Sequence, residues 1–217
     1  MKLNKDKIIE ETRLNYNTIA DYFSETRKNI WSDIKPYLKL VKHQNRVLDL
    51  GCGNGRHYKS LEKKKIDYFG IDFSEKLLQI AKNKYTRAKF KFGDITDPKT
   101  FHNIGKFDVC LCIAVLHHIP GKDLQRRIIK NIEKILKPDG VLLLSVWNLW
   151  QEKYLKYHKK RRDWIVVPFK QDNVKVDRFC WLFTDKSLRR LFEGLSFKIV
   201  EYKENKNLCL VAKKVIK

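Results

Sequence analysis

At 217 residues the chain suits one domain built around one sizeable core. Lys and Arg number 47 against 25 Asp and Glu, a formal net charge of +22, which points to a polyanionic partner and to nucleic acid before a membrane surface. The five cysteines form no CxxC pair and carry no metal-ligand spacing. The stretch Met1 to Glu10 lacks a signal-peptide apolar region, and the longest apolar run, Val109 to Leu116, is far too short to span a bilayer. A cytoplasmic protein, with no metal and no membrane attachment, is therefore expected.

The first 45 residues are helical in pattern and predict an N-terminal cap. Val47 to Leu50 is a short apolar strand running into Gly51-Cys52-Gly53-Asn54-Gly55, and a helix-like stretch with Tyr58 and Leu61 follows. Asp67 to Asp72 predicts a second strand, after which Ser74 caps a helix with Leu77, Leu78, Ala81 and Tyr85 on one side. Phe90 and Phe92 alternate with Lys89 and Lys91, as in a third strand with one wet face. Asp108 to Val115 is nearly continuously apolar, the mark of a fourth strand buried on both faces. Leu124, Ile128, Ile132, Ile135 and Leu136 carry helical spacing up to Pro138-Asp139-Gly140, and Val141 to Trp147 predicts the fifth strand. Residues 149–183 read as an insertion of mixed basic and aromatic character.

Phe197 to Tyr202 and Leu208 to Ala212 are two further strands, joined by too few residues for a crossover, so this pair must be antiparallel. The whole predicts one α/β domain over residues 1–217. Its sheet is Rossmann-like and mostly parallel with a reversed last strand, helices cover both faces, and the cap and the insertion stand outside the alternation.

Asp49-x-Gly51-x-Gly53-x-Gly55 follows a strand and opens a helix, the context in which glycines let backbone N–H groups approach a ligand closely. A dinucleotide fingerprint would need a third Gly at position 56, which is Arg, and this argues against NAD or FAD. Asp72 ends the second strand, where a carboxylate can accept from both ribose hydroxyls, and Phe73 beside it can cover an adenine face. Asp94, in Gly93-Asp94-Ile95, ends the third strand, where it can accept from the adenine amino group. Three acidic residues at three successive strand ends predict one nucleotide-like ligand at the carboxyl edge of the sheet.

With Val47-Leu48-Asp49-Leu50-Gly51-Cys52-Gly53-Asn54-Gly55 the chain resembles the class I S-adenosylmethionine (SAM)-dependent methyltransferases, and the reversed last strand matches their fold. The resemblance implies SAM as cofactor, with Gly51 and Gly53 under its methionine part, Asp72 on the ribose and Asp94 on the adenine. Around these it places Tyr22, Arg27, Asp49, Phe73, Ile95 and Ile113.

Other segments resemble one subgroup, the tRNA wobble-uridine carboxymethyl methyltransferases, which includes the methyltransferase domain attached to an AlkB-type tRNA hydroxylase. They are Tyr16 to Arg27 followed by Trp31, Ile113 to His118, Val146-Trp147, Val167-Pro168-Phe169, Arg178-Phe179 through Leu182-Phe183, and Asn207 to Lys214. Trp150 stands where that subgroup usually has Glu, and Trp181 where it usually has His. The resemblance implies esterification of 5-carboxymethyluridine in tRNA, and a small zinc-binding activator protein paired along the third strand.

A carboxylate acceptor, with an ordinary pKa of about 4, is already a nucleophile at neutral pH and needs alignment rather than a general base. Arg27 and Arg178 are the candidates to hold it, with Arg27 alternatively on SAM's own carboxylate. His117 and His118 follow the buried fourth strand; one can line the cofactor pocket and the other meet the acceptor, acting as base if the acceptor is a hydroxyl or ring nitrogen. Packing or capping is the plain alternative for both. Lys153, Lys156, Lys159, Lys160, Arg161 and Arg162 are interleaved with Trp147, Trp150, Tyr154, Tyr157 and Trp164, the pattern of an RNA-loop contact or of a solvated face. A methyltransferase of small molecules such as quinones or organic acids, and a non-catalytic subunit of the same fold, remain the two rival readings.

Overall fold

Alternating apolar residues along each strand send successive side chains to opposite faces of a sheet. In the computed structural model, which describes residues 3–216, both faces of the central sheet are covered. The ends of the expected domain, residues 1, 2 and 217, lie outside the described residues. Helices α1 (Lys5–Thr18) and α2 (Ala20–Thr26) form the N-terminal cap, and α1 starts at Asn4, whose side chain accepts from the Lys7 amide. There follow β1 (Arg46–Leu50), α3 (Arg56–Leu61), β2 (Asp67–Asp72), α4 (Glu75–Lys84), β3 (Lys89–Phe92), β4 (Phe107–Ile113), α5 (Lys122–Ile135) and β5 (Leu136–Trp147). The rest comprises α6 (Glu152–Leu155), β6 (Trp164–Gln171), β7 (Val174–Trp181), α7 (Asp185–Arg190), β8 (Phe197–Glu204) and β9 (Asn207–Lys214).

Seven strands form one sheet in the order β3-β2-β1-β4-β5-β9-β8. Strands β1 to β5 are parallel, and β9 runs antiparallel to both β5 and β8. The last strand is the reversed one, as expected, and it is wedged inside the sheet with β8 outermost. Leu48 and Leu50 of β1, Cys110 and Cys112 of β4, Leu142 and Leu144 of β5 and Leu210 of β9 pack on one face under Ile128 and Ile132 of α5. Val47, Val109, Leu111, Leu143 and Val211 face the other way, under Ile34, Tyr37 and Leu38 of the cap segment and Tyr58 of α3.

Two elements differ from the sequence reading. The fifth strand begins at Leu136 rather than Val141, because Leu136 already pairs with Phe107; Pro138 to Gly140 form an irregularity inside it, with Asp139 at φ +60°. The insertion of mixed basic and aromatic character, for which no elements were expected, holds an antiparallel hairpin of β6 and β7, a separate two-stranded sheet. Ile165, Val167 and Cys180 of the hairpin pack with Leu149 and Leu182 in a small third core. The hairpin also docks on the cap, where the Asn15 side chain donates to the Asp177 carbonyl. No helix among the described residues is long and apolar enough to cross a membrane.

Candidate active site

The strand ends of β1, β2 and β4 open into a pocket roofed by α1, α2 and the β6–β7 hairpin. Its floor is the glycine loop after β1. The Gly51 and Cys52 amides both donate to the Ile71 carbonyl at 2.8 and 3.1 Å, and the Gly53 amide donates to Asp72 Oδ2 at 2.8 Å. Gly51 and Gly53 adopt φ of +69° and +54°. A Cβ on Gly51 would fall 2.2 Å from Val115 Cγ2, so bare backbone is required where the loop passes the segment after β4.

Asp72 is 7% exposed and lines the pocket, its Oδ1 accepting from the Ser74 amide at 2.9 Å. Burial pushes its pKa up to about 6, against the pull of those amides. Phe73, Asp94, Ile95 and Ile113 line the same pocket, and Asp94 is fixed by accepting from the Thr96 amide at 2.7 Å.

Three expected site residues fall elsewhere. Asp49 is wholly buried beneath the loop and does not line the pocket; its Oδ2 accepts from Tyr68 Oη at 2.6 Å and from His57 Nδ1 at 2.9 Å. Tyr22 sits on the far side of α2, where the Asp172 carboxylate in the hairpin turn pushes its pKa up. The α2 residue over the loop is Phe23, one helical step on, whose ring approaches Gly53. His117 is also fully buried behind the pocket wall, between the rings of His118 at 4.2 Å and Trp147 at 4.7 Å.

His118 does line the pocket, with both ring nitrogens engaged. Nδ1 donates to the Phe179 carbonyl at 2.8 Å, which leaves Nε2 as acceptor for the Tyr16 hydroxyl at 2.8 Å. Burial holds its pKa down at about 4, and the enclosed Tyr16 hydroxyl is pushed up to about 12. A neutral imidazole whose lone pair already takes a phenol proton is a poor general base. Candidate ligand atoms of His117, His118 and Cys180 lie within 4.8 Å of one another, but the occupied nitrogens of His118 are not free to bind a metal.

Beside His118, Arg178 stacks over Trp147 at 4.9 Å and Phe169 at 5.6 Å, with Nε directed at the Val167 carbonyl. At the glycine-loop end stand Arg27 and Arg56, and Arg56 rests on the Trp31 ring at 4.6 Å. Burial first, and the neighbouring Arg27 charge after it, push Arg56 down to about 10; its Nη1 is enclosed with no hydrogen-bond partner. Among the described residues, none of Arg27, Arg56 and Arg178 has a carboxylate within ion-pair distance. The pocket thus offers three unpaired guanidinium groups on an aromatic lining, an arrangement that suits anionic groups of a ligand. Arg56 escaped the sequence reading although it is the very residue that breaks the dinucleotide pattern. Trp147, expected among the rings of the basic segment, lines this pocket instead, and Phe169 lies in a motif segment that carried no expected role. Trp150 and Trp181 do not line this pocket.

Sheet order, reversed strand and glycine-loop pocket together define a class I SAM-dependent methyltransferase. The chain belongs to the methyltransferase domain family, whose model matches residues 22–202. It is 33% identical over 147 residues to the tRNA (carboxymethyluridine(34)-5-O)-methyltransferase ALKBH8 of Macaca fascicularis, covering 65% of this chain and 21% of that protein. To the tRNA (carboxymethyluridine(34)-5-O)-methyltransferase of Schizosaccharomyces pombe it is 29% identical, over 63% of this chain and 57% of that one. The chain therefore spans only part of these relatives. Among solved structures, a SAM-dependent methyltransferase of Methanosarcina mazei shares the fold at TM-score 0.71 and 21% identity, covering 87% of this chain and 100% of that one. A Haloferax volcanii methyltransferase solved with the activator Trm112 matches at TM-score 0.71 and 16% identity, over 95% of this chain and 98% of that chain.

The buried Asp49 carboxylate depends on donors from two elements. Tyr68→Phe removes one of them and should lower the free energy of unfolding by about 1.5–3 kcal/mol, read from urea denaturation. An unchanged midpoint would show that the Tyr68–Asp49 hydrogen bond contributes no net stability.

Proposed function

We propose that the chain esterifies the carboxylate of 5-carboxymethyluridine at the wobble position of tRNA. The observation that carries this reading is the pairing, in one pocket wall, of an unpaired Arg178 with a His118 whose two nitrogens are already committed. Such a wall can neutralise and aim an anionic acceptor but cannot readily deprotonate a neutral one. The names of the relatives agree with a carboxylate acceptor.

SAM, when bound, supplies a methyl group on an electron-poor sulfonium. Residues present in the pocket fit it: bare backbone at Gly51 and Gly53, the buried Asp72 carboxylate for the ribose hydroxyls, and Asp94 for the adenine amino group. Phe73 and Ile95 would flank the base. Arg27 and Arg56, with the partnerless Nη1, would receive the cofactor's carboxylate. Arg178 holds the acceptor carboxylate, and Trp147, Phe169 and Tyr16 keep water from the reacting oxygen. No proton has to move, so the protein acts by alignment, which can supply up to about 7–11 kcal/mol.

Binding of ribose hydroxyls requires Asp72 to be ionised. Since its pKa in the folded protein is about 6, affinity should be full above that pH and fall as pH drops through it, up to about tenfold per unit. Calorimetry with 5′-methylthioadenosine, which lacks the amino acid group, should show this step in the wild type and none in Asp72→Asn. A pH-independent affinity would remove Asp72 from the ribose.

The reaction itself is tested by methyl transfer from SAM to an anticodon stem-loop carrying 5-carboxymethyluridine, set against the unmodified stem-loop and small organic acids. Arg178→Gln should lower kcat/KM by about tenfold to a hundredfold, the worth of a hydrogen bond to a charged group. Transfer to small acids with none to the stem-loop would favour the small-molecule reading, and SAM binding without any transfer, even with the co-purified activator present, the non-catalytic one.

The activator is proposed to pair along β3. That strand is a free edge of the sheet, and Phe92 on it is 50% exposed. Lys89 is drawn to Asp67 at 3.6 Å, which blunts the edge only in part. Co-purification from the native host, with loss on Phe92→Lys, is the expected outcome. Full activity of the chain purified alone would show that no activator is required.

A further inference from the structure

A second cavity opens between α1 and the first residues of the β6–β7 hairpin, and it shares a wall with the pocket described above. Thr12 lines both, and Phe179 lines the second while its carbonyl anchors His118 of the first. Of the carboxylates along this groove, Glu11 is drawn to Lys7 at 3.7 Å and Asp163 to Lys122 at 3.1 Å. Lys160, Arg161 and Arg162 have no carboxylate partner among the described residues, and Asp177 alone opposes them. The loop that carries them turns at Arg161, whose φ of +64° sends consecutive cations along the groove rather than around a helix.

The arrangement of Arg162 is specific. Its guanidinium lies 4.6 Å over the Trp164 ring, and Trp164 in turn stacks at 5.5 Å and 32° on Phe179. Phe179 is buried, Trp164 half-buried and Arg162 exposed, so the guanidinium is the member of this group open to solvent. Such a plane receives a nucleobase, while its N–H edges and the adjacent Lys160 and Arg161 receive phosphate.

We infer that this groove is a second nucleotide subsite, which holds the base and phosphate next to the methylated uridine of a single-stranded RNA loop. The inference rests on the proposed RNA acceptor and adds to it a built place for one flanking nucleotide, distinct from the acceptor pocket. Enzyme and RNA then meet at two adjoining sites: one base turned into the acceptor pocket, its neighbour on the Arg162–Trp164 stack. The distribution also gives Trp181 a place, since it lines the groove beneath Lys122 rather than the acceptor pocket.

The test is fluorescence anisotropy of a single-stranded RNA pentamer with 5-carboxymethyluridine at its centre, with and without an abasic neighbour, on wild type, Arg162→Gln and Lys160→Gln/Arg162→Gln. Arg162→Gln should weaken binding about tenfold, within the range of one base stack. The double variant should in addition flatten the salt dependence by about 0.7 of a log unit for each phosphate that is no longer neutralised. An abasic neighbour should weaken the wild type about tenfold and the Arg162→Gln variant little further, because base and guanidinium form a single stack. Both substitutions are on exposed side chains, and melting temperatures identify any misfolded variant; the abasic comparison on wild type needs no variant. Equal binding by all three proteins, or no effect of the abasic neighbour, overturns the subsite. Wild type that binds the pentamer in this way yet transfers no methyl to it, with the co-purified activator present, overturns the carboxymethyluridine reading and leaves the subsite standing.

Discussion

At the end of β2 the buried Asp72 carboxylate binds the Gly53 amide, and the pocket is organised around that bond. A carboxylate in so enclosed a place is costly unless donors surround it, and the glycine loop supplies one donor while the turn into α4 supplies the other. The loop gains a fixed curvature in return. Its two leading amides are held by the Ile71 carbonyl, so the last residues of β2 dictate the path of the chain leaving β1. Below it, Asp49 ties Tyr68 of β2 to His57 of α3, a second buried carboxylate that supports the loop without reaching the pocket. One acidic residue thus faces the ligand space and the other faces the core, although the two look alike in the sequence.

The opposite wall follows a different electrostatic logic. Tyr16, His118 and the Phe179 carbonyl form a chain of neutral hydrogen bonds linking α1, the end of β4 and β7. Burial favours the uncharged imidazole, and the chain leaves no free lone pair for proton abstraction. Charge at this wall is confined to Arg178, stacked on rings that shield it from water without neutralising it. A cation so placed interacts more strongly with an incoming anion than it would at an exposed surface.

The cap helices and the hairpin are additions to the sheet that depend on each other. Asn15 of α1 grips the hairpin backbone, and Tyr22 of α2 faces its turn. The acceptor pocket and the basic groove both lie along this seam, so the shape of each is set by how α1 docks on β7. Changes of sequence in the hairpin can alter what is held beside the acceptor while leaving the glycine loop untouched.

By itself the sequence determined the sheet and its carboxyl edge. Strands buried on both faces are continuous apolar runs, the connection between Tyr202 and Leu208 is too short to cross over, and glycines and aspartates at strand ends are local signals that survive without tertiary context. Gly51, Gly53, Asp72 and Asp94 could be placed at one edge on those grounds. The β6–β7 hairpin was hidden because its alternation, Ile165 and Val167 against Val166 and Pro168, is interrupted by cations and faces a small core that other segments complete.

Only the tertiary structure decided which side chains reach the pocket. Tyr22 and Phe23 are neighbours on one helix that diverge by a third of a turn, and the docking of α2 selects Phe23. Asp49 and His117 lie within motifs that flank the pocket yet turn into the core. Arg56 enters from a position that a nucleotide pattern reserves for glycine, and its neighbours Trp31 and Arg27 come from the distant cap. Strand order and turns are written in short-range patterns of side-chain size and polarity. The direction of a single side chain is settled by packing between elements far apart in the chain, and short-range patterns do not carry it.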